Sequence, residues 1–340
     1  MATSLTPPSD AYPAAVSASP AVGLTELTET AHRIQAAVAT VIEGKPAAIK
    51  LALTVLLAEG HLLIEDVPGV GKTMLAKSLA KSIDCSVQRI QFTPDLMPSD
   101  ITGVSVFNQQ KRDFDFKPGG IFANIVVGDE INRASPKTQS ALLEAMEEHQ
   151  VTVDRTTYQL DPPFMVVATQ NPIEMEGTYP LPEAQRDRFM IRLSMGYPDT
   201  ASEIDMLATH SGAEQGSLDA LDPVTDGTHI AKLIEIVRAI HVSAAVKHYA
   251  VTLTDATRRS PDLRLGASPR ATLHLVKAAK AWAALNNREY VLPDDIQQLA
   301  VPVLSHRLLP TADAQIGQRN VEGIIGNLIN KIAIPDATRT

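Results

Sequence analysis

Cysteine and aromatic residues are scarce in this chain of 340 residues. It contains one cysteine, Cys85, and aromatic residues make up 4% of the sequence. A lone cysteine cannot form an internal disulfide or complete a cysteine-based zinc site, so both classes are excluded and a reducing, cytoplasmic location is favoured. The low aromatic content indicates a helix-rich interior packed with Ala, Leu, Val and Ile.

Long apolar runs and an excess of positive charge are also missing. No stretch reaches the roughly 20 apolar residues that a membrane helix needs, so we expect no membrane span. The net charge is −9, which argues against nucleic acid as the partner because a polyphosphate would be repelled. Nine histidines form no close pair with a third metal ligand, and serine-hydrolase signatures are absent.

The strongest positive signal is a glycine turn, residues 65–73 (EDVPGVGKT), between an apolar strand and a helix. Backbone N–H groups of such a turn bind phosphate, assisted by the helix dipole. Lys72 is predicted to bridge the β- and γ-phosphates, and Thr73 to be a ligand of Mg²⁺. Asp66 stands where the motif usually has its first glycine. The predicted nucleotide-binding residues are Asp66, Val67, Pro68, Gly69, Val70, Gly71, Lys72, Thr73 and Met74.

Two further strands end in polar residues suited to hydrolysis. Asp129 and Glu130 follow an apolar run, and ligands of open α/β sheets bind beyond the carboxyl ends of strands. Asp129 is predicted to hold Mg²⁺ and Glu130 to polarise the attacking water. Asn171 follows another strand and would orient that water if the strands are neighbours. A turn-forming Asn before Pro is the alternative reading of Asn171.

Three arginines are candidates for contact with the transferring phosphate. Arg186 and Arg188 lie just before the last predicted strand, where each could be a structural ion-pair residue or could reach the γ-phosphate of a neighbouring subunit. Arg270, in the first turn of a later helix, could reach back to the phosphates of its own subunit. The nucleotide state would then set the angle between two domains.

The pattern of apolar runs predicts an α/β fold with a sheet of five short parallel strands. The predicted strands are residues 61–64, 85–92, 124–129, 164–169 and 190–194, and the predicted helices are 24–43, 46–59, 136–148, 230–241, 293–308, 321–332 and one beginning at 268. Strand-like runs vanish after about residue 201, which predicts an all-α second domain. We therefore expect a flexible Ala/Ser/Pro-rich tail over 1–23, a core over 24–198 and a helical domain over 199–340.

Together these segments resemble the AAA+ ATPases and, more narrowly, the MoxR family. The segments that carry the resemblance are DVPGVGKT (66–73), FKPGGIFANIVVGDEINRASPKTQSALLEAMEE (116–148), VATQNPIEMEGTYPLPEAQRDRF (167–189) and GASPRA (266–271). The resemblance implies an αβα sandwich followed by an all-α lid, with ATP and Mg²⁺ as ligands.

The resemblance also implies names for residues already singled out. Residues 66–73 would be Walker A, Asp129 and Glu130 Walker B, Asn171 sensor 1, Arg270 sensor 2 and Arg188 the arginine finger. Arg186 occupies a place where a nonpolar residue is expected.

The resemblance further implies a homo-oligomeric ring, a hexamer in this family, that acts as a chaperone-like remodelling factor for protein complexes. A partner with a von Willebrand factor A domain is part of that expectation. Residues 101–118 resemble an insertion in the second helix of the core, and residues 150–162 are predicted to form a β-hairpin. A nucleic-acid motor, with Lys111, Arg112 and Arg155 at hairpin tips, and a metal-chelatase motor subunit are the alternatives.

Overall fold

The computed structural model describes residues 20–171, 178–197, 200 and 218–335. Most of the predicted tail lies outside these residues, and the first helix begins at Pro20, four residues before its predicted start. The α-helices described are α1 Pro20–Ala39, α2 Pro46–Leu57, α3 Lys72–Ser82, α4 Pro98–Thr102, α5 Pro136–Glu148, α6 Glu183–Arg186, α7 Gly227–Ala239, α8 Ala244–Arg259, α9 Pro269–Leu285, α10 Pro293–Leu304, α11 Ala312–Ile316 and α12 Val321–Lys331. Single 3₁₀ turns cover Ile131–Arg133, Leu218–Ala220 and Ser305–Arg307.

A five-stranded parallel sheet forms the centre of the core, as predicted. The strands described are β1 Leu62–Glu65, β2 Val87–Gln91, β3 Val104–Asn108, β4 Asp113–Lys117, β5 Ile125–Asp129, β6 Gln150–Val153, β7 Thr156–Gln159, β8 Met165–Gln170, β9 Ile191–Leu193, β10 Leu263–Leu265 and β11 Leu309–Pro310. The large sheet has the order β2-β5-β8-β1-β9. Strands β5, β8 and β1 are therefore consecutive neighbours, and their carboxyl ends meet at one edge.

Side chains of the sheet alternate between two hydrophobic clusters, one on each face. Leu62 and Ile64 of β1 belong to the cluster that also holds buried residues of α1, α2 and α3. Leu63, between them, belongs to the cluster formed with α4 and α5. Because both faces are covered, the inner strands β1, β5 and β8 are apolar over most of their length, which is why short apolar runs located them in the sequence. The edge strand β2 differs, since its Gln88, Arg89 and Gln91 are exposed.

Helix α5 begins and ends where the sequence predicts. The Ser135 hydroxyl accepts a hydrogen bond from the Thr138 backbone N–H at 3.4 Å, and Pro136 occupies the first helical position. Such caps satisfy backbone groups that lack partners inside the helix. The helix starts at the carboxyl edge of the sheet and runs back, so its last turn lies at the amino edge.

The region after residue 218 is mainly helical, with one antiparallel strand pair. Strand β10 pairs with β11. The sequence predicted only helices here, because strands of three residues or fewer are too short to show a pattern. Helix α8 was not identified in the sequence, although Ser243 caps it by accepting a hydrogen bond from Val246 N–H. Among the described residues, no helix combines the length and apolar character required to cross a membrane.

Two β-hairpins project from the core. The segment predicted as an insertion, 101–118, contains the end of α4 and the antiparallel pair β3 and β4. Gly103 joins them with φ of +93°, and a Cβ there would lie 2.5 Å from the Lys117 carbonyl oxygen, so only glycine fits. The predicted hairpin over 150–162 is present as β6 and β7, which turn at Asp154 and Arg155.

Candidate nucleotide-binding site

The glycine turn between β1 and α3 forms a loop that is spanned by a lysine side chain. Gly69 and Gly71 both have φ of +86°, a conformation that other residues rarely adopt. Gly71 is the N-cap of α3, so the first backbone N–H groups of that helix point into the loop. The Lys72 ammonium donates to the Asp66 backbone carbonyl at 2.6 Å and thus spans the loop. This geometry provides a cradle for phosphate.

Asp66, at the position of the missing first glycine, fastens the loop to the segment after β9. Its carboxylate accepts hydrogen bonds from Gly196 N–H at 2.6 Å, Val67 N–H at 2.9 Å and the Ser194 hydroxyl at 3.1 Å. Burial raises the pKa of Asp66, but these hydrogen bonds outweigh it and leave the pKa below its ordinary value. Asp66 is thus a buried anchor of the loop.

Asp129 lies across from the loop at the end of β5. Its carboxylate accepts a hydrogen bond from the Thr169 hydroxyl at 2.5 Å, from the Thr73 hydroxyl at 3.3 Å and from the Arg89 guanidinium at 2.6 Å. Burial raises the pKa of Asp129, but the bonds from Thr169, Arg89 and Thr73 together lower it. A charged Asp129 beside the Thr73 hydroxyl offers two oxygen donors of the kind that Mg²⁺ prefers.

Glu130 and Asn171 emerge at the same edge from neighbouring strands. Strand β5 pairs with β8, which satisfies the condition set for Asn171 in the sequence. The Glu130 backbone N–H donates to the Thr169 hydroxyl at 2.9 Å, and its carboxylate accepts from the Gln91 amide at 3.0 Å. Glu130 has φ of +56°, an uncommon conformation that is often found at functional sites. Asn171 follows β8 directly and is buried.

Two predicted arginines converge at the opposite, amino edge of the sheet. Arg188 lies three residues before β9. The Met190 N–H, between Arg188 and β9, donates to the carbonyl of His61, which lies just before β1, so this segment is at the amino edge of the sheet. The Arg188 Nε lies 3.1 Å from the carboxylate of Glu147, in the last turn of α5. Arg270 pairs with the other oxygen of the same carboxylate. Both arginines line a cavity of about 240 Å³ at this edge.

Comparison with known proteins places the chain in a family. Residues 61–191 match the model of the ATPase family associated with various cellular activities (AAA), and residues 255–324 match that of the AAA lid domain. Chaperone MoxR1 of Mycobacterium tuberculosis is 38% identical over 328 residues, 93% of this chain and 85% of that protein. Protein MoxR of Methylorubrum extorquens is 31% identical, over 84% of this chain and 89% of its own. The chain belongs to the MoxR family of AAA+ ATPases.

Two further similarities extend over most of the chain. The uncharacterized protein YeaC of Bacillus subtilis is 49% identical to this MoxR-family chain over 87% of its length and 92% of that protein. The crystal structure of a candidate ATPase from Cytophaga hutchinsonii superposes with a TM-score of 0.86 at 37% identity, covering 93% of this chain and 98% of that one. The sheet, its helices and the helical lid are thus a fold shared over nearly the whole chain.

This MoxR-family structure does not bring Arg270 to the phosphate loop of its own subunit, which its place in the sequence had left possible. Arg270 lies at the edge where strands begin, whereas the phosphate loop lies where they end, and β1 alone separates the two by about 13 Å. Arg186 joins neither site, and its buried Nε has no hydrogen-bond partner in the described part of the chain. The segment 172–177, part of the family resemblance, lies outside the described residues.

Several residues of these two sites were not identified from the sequence. Arg89 and Gln91 belong to the edge strand β2 and reach Asp129 and Glu130 only because β2 pairs with β5. Thr169 links Asp129 and Glu130 through its hydroxyl. The sequence feature that could have identified it is a polar residue at the end of a buried strand. Glu147 has no local signal, because nothing in an acidic helix end indicates that two arginines distant in sequence will meet there.

Proposed function

We propose that this protein binds and hydrolyses ATP at the carboxyl edge of its sheet, and that a neighbouring subunit supplies the arginines. The observation that supports this most is the separation of the two sites. The phosphate loop, Asp129 and Glu130 lie at one edge, and Arg188 and Arg270 lie at the other. One subunit therefore cannot bring its own arginines to its own nucleotide, but a head-to-tail neighbour can.

Each residue of the carboxyl edge has a distinct proposed role. Lys72 exchanges its bond to the Asp66 carbonyl for the β- and γ-phosphates, and the N–H groups of the loop bind the phosphate oxygens. Thr73 and Asp129 would hold Mg²⁺, which supplies charge neutralisation when bound. Glu130 polarises the attacking water, and Asn171 orients it.

Arg188 and Arg270 are proposed to act on the phosphates of the adjoining subunit. In the single subunit both guanidiniums pair with the one carboxylate of Glu147, which offsets only one of their two positive charges, and a phosphate offers the same paired oxygens to a guanidinium. Heterologous contacts of this kind close into a ring, for which we propose the hexamer expected of the family. The division into a core over 24–198 and a lid over 199–340, and a cytoplasmic location, stay predictions.

We further propose that ATP turnover drives remodelling of protein complexes. The name of the relative Chaperone MoxR1 supports a role of this kind. The hairpin formed by β3 and β4 exposes Val106, Phe107 and Phe114, and apolar side chains suit a protein client better than a phosphate backbone. Lys111 at its tip is paired with Asp115 at 2.9 Å, so the tip is not an unopposed basic patch. A von Willebrand factor A domain partner remains part of the proposal.

The concentration dependence of ATPase activity tests the shared site. Turnover per subunit should rise with protein concentration, because each active site needs a neighbour, and should level off once assembly is complete. The Glu130→Gln variant should bind ATP and retain assemblies without turnover. Turnover per subunit that stays constant down to concentrations where the protein is monomeric would contradict the proposal.

A further inference from the structure

Arg307 is a buried cation with no part in the nucleotide chemistry described above. Only 4% of the residue is exposed, and arginine is rarely buried to that extent unless it is paired. Burial lowers the pKa of Arg307 to about 10, so the side chain is still charged at neutral pH. Removing one partner of a buried charge is strongly destabilising, so the partners of Arg307 show which segments this side chain holds in place.

The guanidinium of Arg307 binds the segment that carries Arg188. Its Nη2 donates to the Asp187 carbonyl at 3.2 Å and to the Phe189 carbonyl, the residues on either side of Arg188. Its Nε lies 3.3 Å from the Asp187 carboxylate. The backbone on both sides of Arg188 is therefore held by one side chain from the helical lid.

The same guanidinium also contacts the helix that carries Arg270. Nη2 lies 2.6 Å from Nδ1 of His274, one turn after Arg270 in α9. Because arginine only donates, this contact requires Nδ1 to accept and the ring to be neutral, with the two Nη2 hydrogens shared among the His274 nitrogen and the two carbonyls. Burial, followed by the charge of Arg307, lowers the pKa of His274 to about 2, in keeping with a neutral ring.

A second link joins the two segments through Asp187. The Ser268 hydroxyl donates to the Asp187 carboxylate, with its oxygen 2.8 Å and 2.9 Å from the two carboxylate oxygens. Ser268 is the N-cap of α9 and accepts from Ala271 N–H at 3.1 Å, so the first turn of α9 is tied directly to the residue before Arg188.

We infer that Arg307 and Asp187 are positioning residues that present Arg188 and Arg270 to the neighbouring subunit as one rigid pair. This inference rests on the proposed function, because it matters only if those arginines act on an adjoining nucleotide. Neither Arg307 nor Asp187 touches the phosphates in this scheme. A guanidinium displaced by about 1 Å stabilises a transition state far less well, and the buried network fixes both guanidiniums through their backbones.

The test compares Asp187→Asn, Arg307→Met and Arg307→Lys with Arg319→Gln as a control. Arg319 pairs with Asp262 in the same lid, away from this network, so its variant should keep normal turnover. Asp187→Asn and Arg307→Met should lower kcat on the order of 10- to 100-fold while nucleotide affinity stays within about twofold, and Arg307→Lys should retain more activity than Arg307→Met. Asp187→Asn keeps the size of the side chain, so it serves if the Arg307 variants do not fold.

Two measurements separate positioning from general damage. In an Arg188→Ala background, Asp187→Asn should lower turnover little further, because it acts through Arg188. Mixing Asp187→Asn with Lys72→Ala subunits should restore turnover, whereas mixing it with Arg188→Ala should not. Normal kcat in Asp187→Asn, or additive losses in the double variant, would overturn the inference. If Arg188→Ala alone keeps full turnover, the proposed function fails instead.

Discussion

The two edges of the sheet differ in how they are built. At the carboxyl edge, the predicted groups lie close in sequence to the strand ends that position them. Asp129 ends β5, Glu130 follows it, and Thr73 is reached from β1 through the glycine turn, so they meet because β1, β5 and β8 are neighbours. At the amino edge, Glu147, Arg188 and Arg270 come from three distant parts of the chain and meet through packing of the lid against the core. One edge holds the residues proposed to bind the nucleotide, whereas the other is a pair of cations that share one carboxylate.

Removing the lysine of the carboxyl edge should have the largest effect. Lys72→Ala should abolish ATP binding, because the Lys72 ammonium spans the loop that is proposed to hold the phosphates. Titration with a fluorescent ATP analogue measures this loss. Lys77→Ala, one turn further along α3, is the matched control and should bind normally. Normal ATP binding by Lys72→Ala would contradict the proposal that this loop binds the nucleotide.

Removing the arginine of the amino edge should leave binding intact and suppress turnover. Arg188→Ala should lower kcat by about 10³-fold or more, as for arginine fingers that act across an interface, with unchanged ATP affinity. Steady-state kinetics above the assembly concentration measure both quantities. Arg186→Ala is the control, since Arg186 does not reach Glu147. If Arg186→Ala shows the large loss instead, the choice between the two arginines is wrong.

The location of Arg270 sharpens the comparison between the edges. Arg270→Ala should lower kcat on the order of tenfold or more without weakening ATP binding by the isolated subunit, because its guanidinium lies at the edge away from its own phosphate loop. Isothermal titration at concentrations below assembly measures that affinity. A marked loss of affinity there would restore the original possibility that Arg270 serves its own nucleotide.

Thr169 should give the smallest effect, since it supports the carboxyl edge without touching the nucleotide. Thr169→Val keeps the shape but removes the hydrogen bonds to Asp129 and Glu130. We expect a stability loss of about 2 kcal/mol, typical of a hydrogen bond to a charged group, and a pKa of Asp129 closer to its ordinary value. Urea denaturation measures the first. Thr169→Ser, which keeps the hydroxyl, should lose much less.

The fold and the carboxyl edge could be predicted from the sequence because their signals are local. Apolar runs located the five strands within a few residues, and Ser135 with Pro136 predicted the start of α5. The amino edge could not be predicted in the same way. The first turn of α9 was correctly expected to carry Arg270, but which edge it faces depends on how the lid packs. That packing involves the contacts of Asp187 with Arg307 and Ser268, and nothing local in the sequence indicates that these three residues meet.

Mixing two inactive variants tests the central claim, that each nucleotide is served by arginines of an adjoining subunit. Lys72→Ala keeps its arginines but lacks a working phosphate loop, and Arg188→Ala has the opposite defect. In an equimolar mixture, about a quarter of randomly formed head-to-tail interfaces pair an intact loop with an intact arginine. We predict that ATPase activity appears in the mixture although each variant alone has almost none. A mixture that forms mixed assemblies but stays as inactive as its components would contradict the account.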